Sequence, residues 1–201
     1  MTPDVLDHIR TRCAQVAATA RHVHIDHGAL DRYADRFPVE LIDAPFADPA
    51  HTPRDDPEAT AAFVIALDAI NFGSGWFPVL RKRPGMSGYH TVASSLQDLV
   101  ASTGPLTAGR LRRFAPRDLC RIFDQDADGA AVELMELFTT AWHDLGALVD
   151  ADHAGSFVAL VDAANHSAAR LVAILDQLPF FHDVAEYTTA DDAVIDVPLY
   201  K

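Results

Sequence analysis

Cysteine, positive charge and strand-forming runs are all scarce in this sequence. The two cysteines, Cys13 and Cys120, stand alone without a CxxC, which excludes a disulfide framework and a four-cysteine zinc site. A reducing cytoplasm is the expected setting. No window of about 18 uncharged apolar residues occurs, so no segment reads as a membrane-spanning helix and no membrane partner is expected. The opening MTPDVLDHIRTR lacks the apolar h-region of a secretory leader. Sixteen Lys and Arg against 29 Asp and Glu leave a net charge of −13. A protein that neutralises several phosphates normally carries a basic face, so general nucleic-acid binding is not expected either.

What is present suits an ordinary core. Hydrophobic residues make up 49% of the chain and mean hydropathy is +0.04, so residues 1–201 are read as one domain. Charge is uneven along it. Between Ala69 and Phe123 the eight cations Arg81, Lys82, Arg83, Arg110, Arg112, Arg113, Arg117 and Arg121 meet only Asp98 and Asp118. This stretch is either a differently solvated face or an anion-receptive wall.

Helical periodicity dominates. Thr2-Pro3 starts a helix whose Leu6, Ile9, Cys13, Val16 and Ala20 recur every three or four residues. Residues 38–57, with DAPFADPAHTPRDDP, read as an extended connector. Asp56 and Pro57 open a second helix with Ala62, Phe63, Ala66, Leu67 and Ile70 on one side, although AAFVIAL alone also suits a strand. A helix from Ser87 stops near Gly104-Pro105, and short basic helices are expected around Leu111 and Leu119. The strongest stripe is Leu134, Leu137, Phe138, Ala141, Trp142, Leu145 and Leu148. Another helix is predicted from Phe157 to Leu178, closed by Pro179. Only Val194, Ile195 and Val197 suggest a strand. The fold class is therefore all-α, with at most one short β-ribbon near the C-terminus.

Three clusters carry chemical potential. His22, His24, Asp26 and His27 form HxHxDH, which resembles the metal-binding loop of the metallo-β-lactamase superfamily and suggests a zinc-dependent hydrolase. That superfamily hangs the loop on a buried strand, and here an alanine- and arginine-rich helix precedes it. The competing reading is a chance group of surface histidines at a helix start. Asp124, Asp126 and Asp128 imitate half an EF-hand loop, but Met135 stands where its bidentate glutamate belongs. The local alternative is a polar turn in which Asp128 caps the long helix and Glu133 supports its first turn. The richest segment runs from Asp68 to Tyr89, with Asn71, Phe72, Trp76, several glycines and three cations. A flat, polar, phosphorylated ligand needs these ingredients: aromatic faces, an amide to read a base edge, a carboxylate and phosphate-binding cations. A structural loop with buried aromatics would use the same residues.

Asp68, Asn71 and Phe72 in a D-x-x-N-F pattern, then Trp76, then Ser87-Gly88-Tyr89, resemble the signature of the queuosine salvage proteins, the queuosine 5′-phosphate N-glycosylase family. VHIDHG at residues 23–28, Gly155-Ser156-Phe157, Ser167-Ala168, PFFHDV at 179–184 and Leu199-Tyr200-Lys201 are similar to further family elements in the same order. The resemblance implies a helical domain like the helix-hairpin-helix DNA glycosylases. It also implies hydrolysis of the N-glycosidic bond of queuosine 5′-phosphate, releasing queuine for salvage into tRNA modification, with no cofactor and no metal. On matching positions it implies that Asn71 reads the polar edge of the deazaguanine and that Phe72, Trp76 and Tyr89 wall it in. Asp68 orients Asn71 or the ligand, or is a helix carboxylate bonded to backbone. Lys201 contacts phosphate or ribose, or is a plain surface lysine. Family chains continue beyond the element that begins at Leu199, and the leading candidate for the catalytic acid is expected beyond residue 201. Low activity, self-association through uncovered apolar faces of the helices at 130–149 and 155–178, or a noncatalytic binder of the base or nucleotide are the corresponding expectations.

Overall fold

The computed structural model describes residues 5–41, 56–182 and 184–198. The chain divides into two compact units, Met1–Asp48 with Asp183–Tyr200, and Pro49–His182. The start expected at Thr2-Pro3 and most of the proline-rich connector lie outside the described residues.

In the first unit, α1 (Val5–Thr19) is followed by α2 (His27–Ala34) and a 3₁₀ turn at Val39–Leu41. An antiparallel ribbon pairs β1 (Val184–Thr188) with β2 (Val194–Pro198), with Tyr187 opposite Ile195. The Ala190 amide donates to the Thr19 carbonyl at 3.0 Å, and Arg21 donates to the Thr189 carbonyl at 2.8 Å and pairs with Asp192. Ile9, Cys13 and Val16 of α1 line an apolar cavity of about 560 Å³ with Tyr187 and Val197. Thr189 is the one buried residue among those described in this unit, and Val23, Ile25, Leu30 and Tyr33 are exposed. β1 escaped sequence reading because VAEYT is short and carries a glutamate at its centre.

The second unit holds the large core. Asp56 caps α3 (Pro57–Asp68) by accepting from the Glu58 amide at 3.0 Å, and Pro57 occupies the first turn, where its missing N–H is harmless. Ala62, Phe63, Ala66 and Leu67 are buried, so AAFVIAL is helix. Ser87 caps α4 (Gly88–Thr103), which ends at Gly104 with φ of 84°. Thr107 caps α5 (Ala108–Leu111), and Pro116 opens α6 (Pro116–Ile122).

α7 (Val132–Asp152) is the axis of this unit. Leu134, Met135, Phe138, Ala141, Trp142, Leu145 and Val149 are fully buried on it, against α5 and α6 among other elements. The Trp142 indole N–H donates to the Ala66 carbonyl at 2.9 Å, pinning α3 to α7. Gly146 lets α5 approach closely: a Cβ there would stand 2.7 Å from the Ala108 carbonyl oxygen. The apolar face of α7 is thus covered, contrary to expectation. Asp128 does not cap it, because the helix begins after Ala131 with no side-chain cap.

The single helix expected from Phe157 to Leu178 is two: α8 (Phe157–Ala163) and α9 (Ala168–Leu175), turned by 118°. Asn165 and His166 adopt φ of 47° and 58° between them, left-handed values that stop an α-helix, and Ser167 caps the restart. α9 has no buried residue, and Val172 is exposed.

Candidate functional site

The aromatic segment runs from the end of α3 along the first two turns of α7. Asp68 and Asn71 are exposed, while Ala69 and Ile70 between them are buried. The Asn71 amide donates to the Asp68 carbonyl at 3.0 Å in a tight turn. That turn leaves the Asn71 carboxamide and the Asp68 carboxylate on the surface.

Three successive contacts fix the residues after Asn71. The half-buried Phe72 ring meets Phe138 edge-on at 5.2 Å and Phe180 at 5.1 Å. Gly73 takes φ of 83°, and a Cβ on it would come within 2.5 Å of the Leu134 Cδ1, so both backbone angle and space demand glycine. The chain then makes a 3₁₀ turn, Ser74–Trp76, and the Trp76 indole N–H donates to the Glu133 carboxylate at 3.2 Å. The next ring, Phe77, lies where a Cβ on Gly88 would meet it at 2.4 Å, which seats the segment on the start of α4. There the Ser87 hydroxyl accepts from the His90 amide at 3.1 Å and stands 2.9 Å from His90 Nδ1. The half-buried Tyr89 ring meets the His90 ring edge-on at 5.2 Å.

Phe72 and Trp76 are therefore set on one helix, and Tyr89 on another that touches the same segment through Phe77. Asn71 is exposed and directly precedes Phe72 in the chain. Lys201 lies outside the described residues.

Among the described residues, four of the eight cations of the basic stretch pair with carboxylates. Arg81 pairs with Asp126 at 2.6 Å and with Asp124 at 3.5 Å, and the hydrogen bond and charge of Asp126 raise its guanidinium pKa further. The acidic turn that imitates a calcium loop is thus an arginine partner. Arg83 pairs with Asp98 at 2.7 Å, Arg112 with Asp150 at 2.7 Å, and Arg121 with Asp118. Arg110 donates to the Gly104 and Pro105 carbonyls; burial, then the neighbouring Arg113 charge, lowers its pKa. In the histidine cluster, Asp26 accepts from the Ala29 amide at 2.9 Å as the cap of α2. Among the described residues no three His, Cys, Asp or Glu side chains gather into a metal-binding group.

Residues 51–201 match the profile of the family described as Queuosine salvage protein. The chain belongs to that family. Over 184 residues it is 28% identical to the Queuosine 5′-phosphate N-glycosylase/hydrolase of Sphaerobacter thermophilus. The alignment takes in 89% of this chain and 56% of that protein, so the chain spans little more than half the length of its relative. All of α3 to α9, and hence the whole aromatic segment, falls inside the family match.

Four residues that hold this region together were not singled out for such roles in the sequence. Glu58 on α3 accepts from the Phe157 amide at 2.6 Å, the Ser156 hydroxyl at 2.8 Å and the Val158 amide at 2.9 Å. Burial pushes its carboxyl upward, but those three bonds outweigh it and hold the pKa below the ordinary value. Gln125 is buried and grips the Arg81 backbone, accepting from its N–H at 2.9 Å and donating to its carbonyl at 3.0 Å. Asp144 accepts from the Phe180 amide at 2.9 Å, which keeps the ring of Phe180 over Phe72. Glu133 is the fourth. Its partner lies 57 residues away, and only its first-turn position was visible.

Proposed function

We propose that this chain hydrolyses the N-glycosidic bond of queuosine 5′-phosphate and releases the base queuine. The observation that carries the reading is the Asp68-to-Tyr89 segment. Inside the region of family match it carries an exposed asparagine and an exposed aspartate at the end of α3, and three half-buried aromatic rings that follow them in sequence. The name of the Sphaerobacter relative supports the substrate and the bond broken.

In the reaction, water oxygen bonds to the anomeric carbon, the carbon–nitrogen bond breaks, and the electron pair leaves with the base, which takes up a proton from water. Positive charge develops on the ribose and negative charge on the base, so a carboxylate near the sugar and hydrogen-bond donors at the base lower the barrier. Asn71 supplies amide donor and acceptor groups to the base edge, and Phe72, Trp76 and Tyr89 supply apolar faces against which it lies. Asp68 is the carboxylate closest in sequence to these groups. The nucleotide itself is the intended partner, in keeping with the net charge of −13. The unpaired Cys13 and Cys120 suit a reducing compartment.

The test incubates the purified protein with queuosine 5′-phosphate and chelator and follows free queuine by chromatography. Queuine and ribose 5-phosphate in equal amounts are expected. No product, or product only after zinc is added, overturns the reading, and calorimetric binding without turnover replaces it with a noncatalytic binder.

A further inference from the structure

On the reading of the aromatic segment as the base site, we propose that Glu133 is a positioning residue for ligand binding: it holds the Trp76 indole in the orientation that makes it a wall.

The segment is laid along α7 at three points. Phe72 meets Phe138, Gly73 sits on Leu134, and Trp76 reaches Glu133. Its two ends are thus anchored differently. At Phe72 and Gly73 packing fixes the chain, since the half-buried ring contacts Phe138 and Phe180 and a Cβ on the glycine would strike Leu134. At Trp76 the side chain is half-buried and follows the exposed Ser74 and Gly75, the latter with open space where a Cβ would be. Packing on one side leaves an indole with several rotamers of similar energy. A hydrogen bond from its one polar atom selects among them.

Glu133 suits that task for two reasons. It lies in the first turn of a 21-residue helix, where the helix dipole favours a carboxylate and the buried α7 core fixes the backbone. It also adjoins Leu134, so consecutive α7 residues hold the two ends of the Gly73-to-Trp76 turn. A wall set before the ligand arrives need not be ordered on binding, which strengthens affinity.

Glu133→Ala and Glu133→Gln are compared in the full chain. The tryptophans separate the readouts, because Trp142 is fully buried and beyond the reach of iodide, whereas Trp76 is half-exposed. In Glu133→Ala the iodide-quenchable fluorescence should rise, with KM for queuosine 5′-phosphate raised about three- to tenfold and kcat nearly unchanged. Glu133→Gln keeps an oxygen acceptor and should restore both readouts to within about twofold. An unchanged iodide response in Glu133→Ala, or a glutamine variant as impaired as the alanine one, overturns the proposal. Should wild-type protein release no queuine, the function reading fails by itself, and the iodide measurement still decides whether Glu133 holds the indole.

Discussion

Replacing Glu58 with alanine removes one carboxylate and three hydrogen bonds at once. The acceptor oxygens stand 2.6 Å from the Phe157 amide, 2.8 Å from the Ser156 hydroxyl and 2.9 Å from the Val158 amide. Hydrogen bonds to a charged group contribute about 1.5–3 kcal/mol each when well buried. Glu58 is only half-buried, so solvent screening brings each nearer to ~1 kcal/mol. Water replaces part of what is lost, and Ser156 still caps α8 through the Ala159 amide. The expected loss is about 2–3 kcal/mol. For a chain of this size that corresponds to a fall in Tm of about 5–10 °C.

The same substitution has a pH signature. The folded carboxyl titrates below the 4.5 of an unperturbed glutamate, so the unfolded state binds the proton more readily. The stabilisation is complete above that value and disappears as pH falls through the lowered folded pKa. The difference in Tm between wild type and Glu58→Ala should therefore be flat at neutral pH and shrink in acid below about pH 4.5. Thermal melts followed by circular dichroism between pH 3.5 and 7 measure both quantities. A variant within about 1 °C of wild type at pH 7, or a difference that grows on acidification, would refute the reasoning.

Other substitutions separate site from scaffold. Asn71→Ala should weaken nucleotide binding by about 1–3 kcal/mol in calorimetry, with Tm almost unmoved because the side chain is exposed. Gly73→Ala should destabilise by about 1–3 kcal/mol in urea unfolding, from a positive φ and the 2.5 Å approach to Leu134; Gly75→Ala, with open space at its Cβ, should stay within about 0.5 kcal/mol. Trp142→Phe leaves the Ala66 carbonyl without its donor and opens a void, and should cost about 2–3 kcal/mol by the same measurement.

Legibility followed distance along the chain. The α7 stripe and the Asp56-Pro57 start of α3 were readable because each signal lies within a few residues of what it specifies. The D-x-x-N-F and S-G-Y elements were readable for the same reason, and they led to the family. The 118° turn between α8 and α9 was hidden because apolar spacing continues across it, and its left-handed pair is Asn-His rather than glycine or proline. The role given to Asp128 failed for a related reason. A local turn suggested a cap, while its neighbours Asp124 and Asp126 are committed to Arg81, more than 40 residues earlier. Glu58 to Phe157, Gln125 to Arg81 and Trp76 to Glu133 are 99, 44 and 57 residues apart, beyond any local pattern.

The first unit has a consequence for the order of synthesis. The ribbon that supplies Thr189 and Asp192 to Arg21 is made 168 and 171 residues after that arginine, which itself lies just past α1. At roughly 5–20 residues per second, α1 waits on the order of ten to thirty seconds on the ribosome for its partner. A solitary helix of 15 residues is marginal in water, as is a lone two-stranded ribbon. Neither piece can act as a nascent nucleus, and the unit closes only after the intervening helices have emerged. During that interval the apolar side of α1 is open to whatever binds nascent chains.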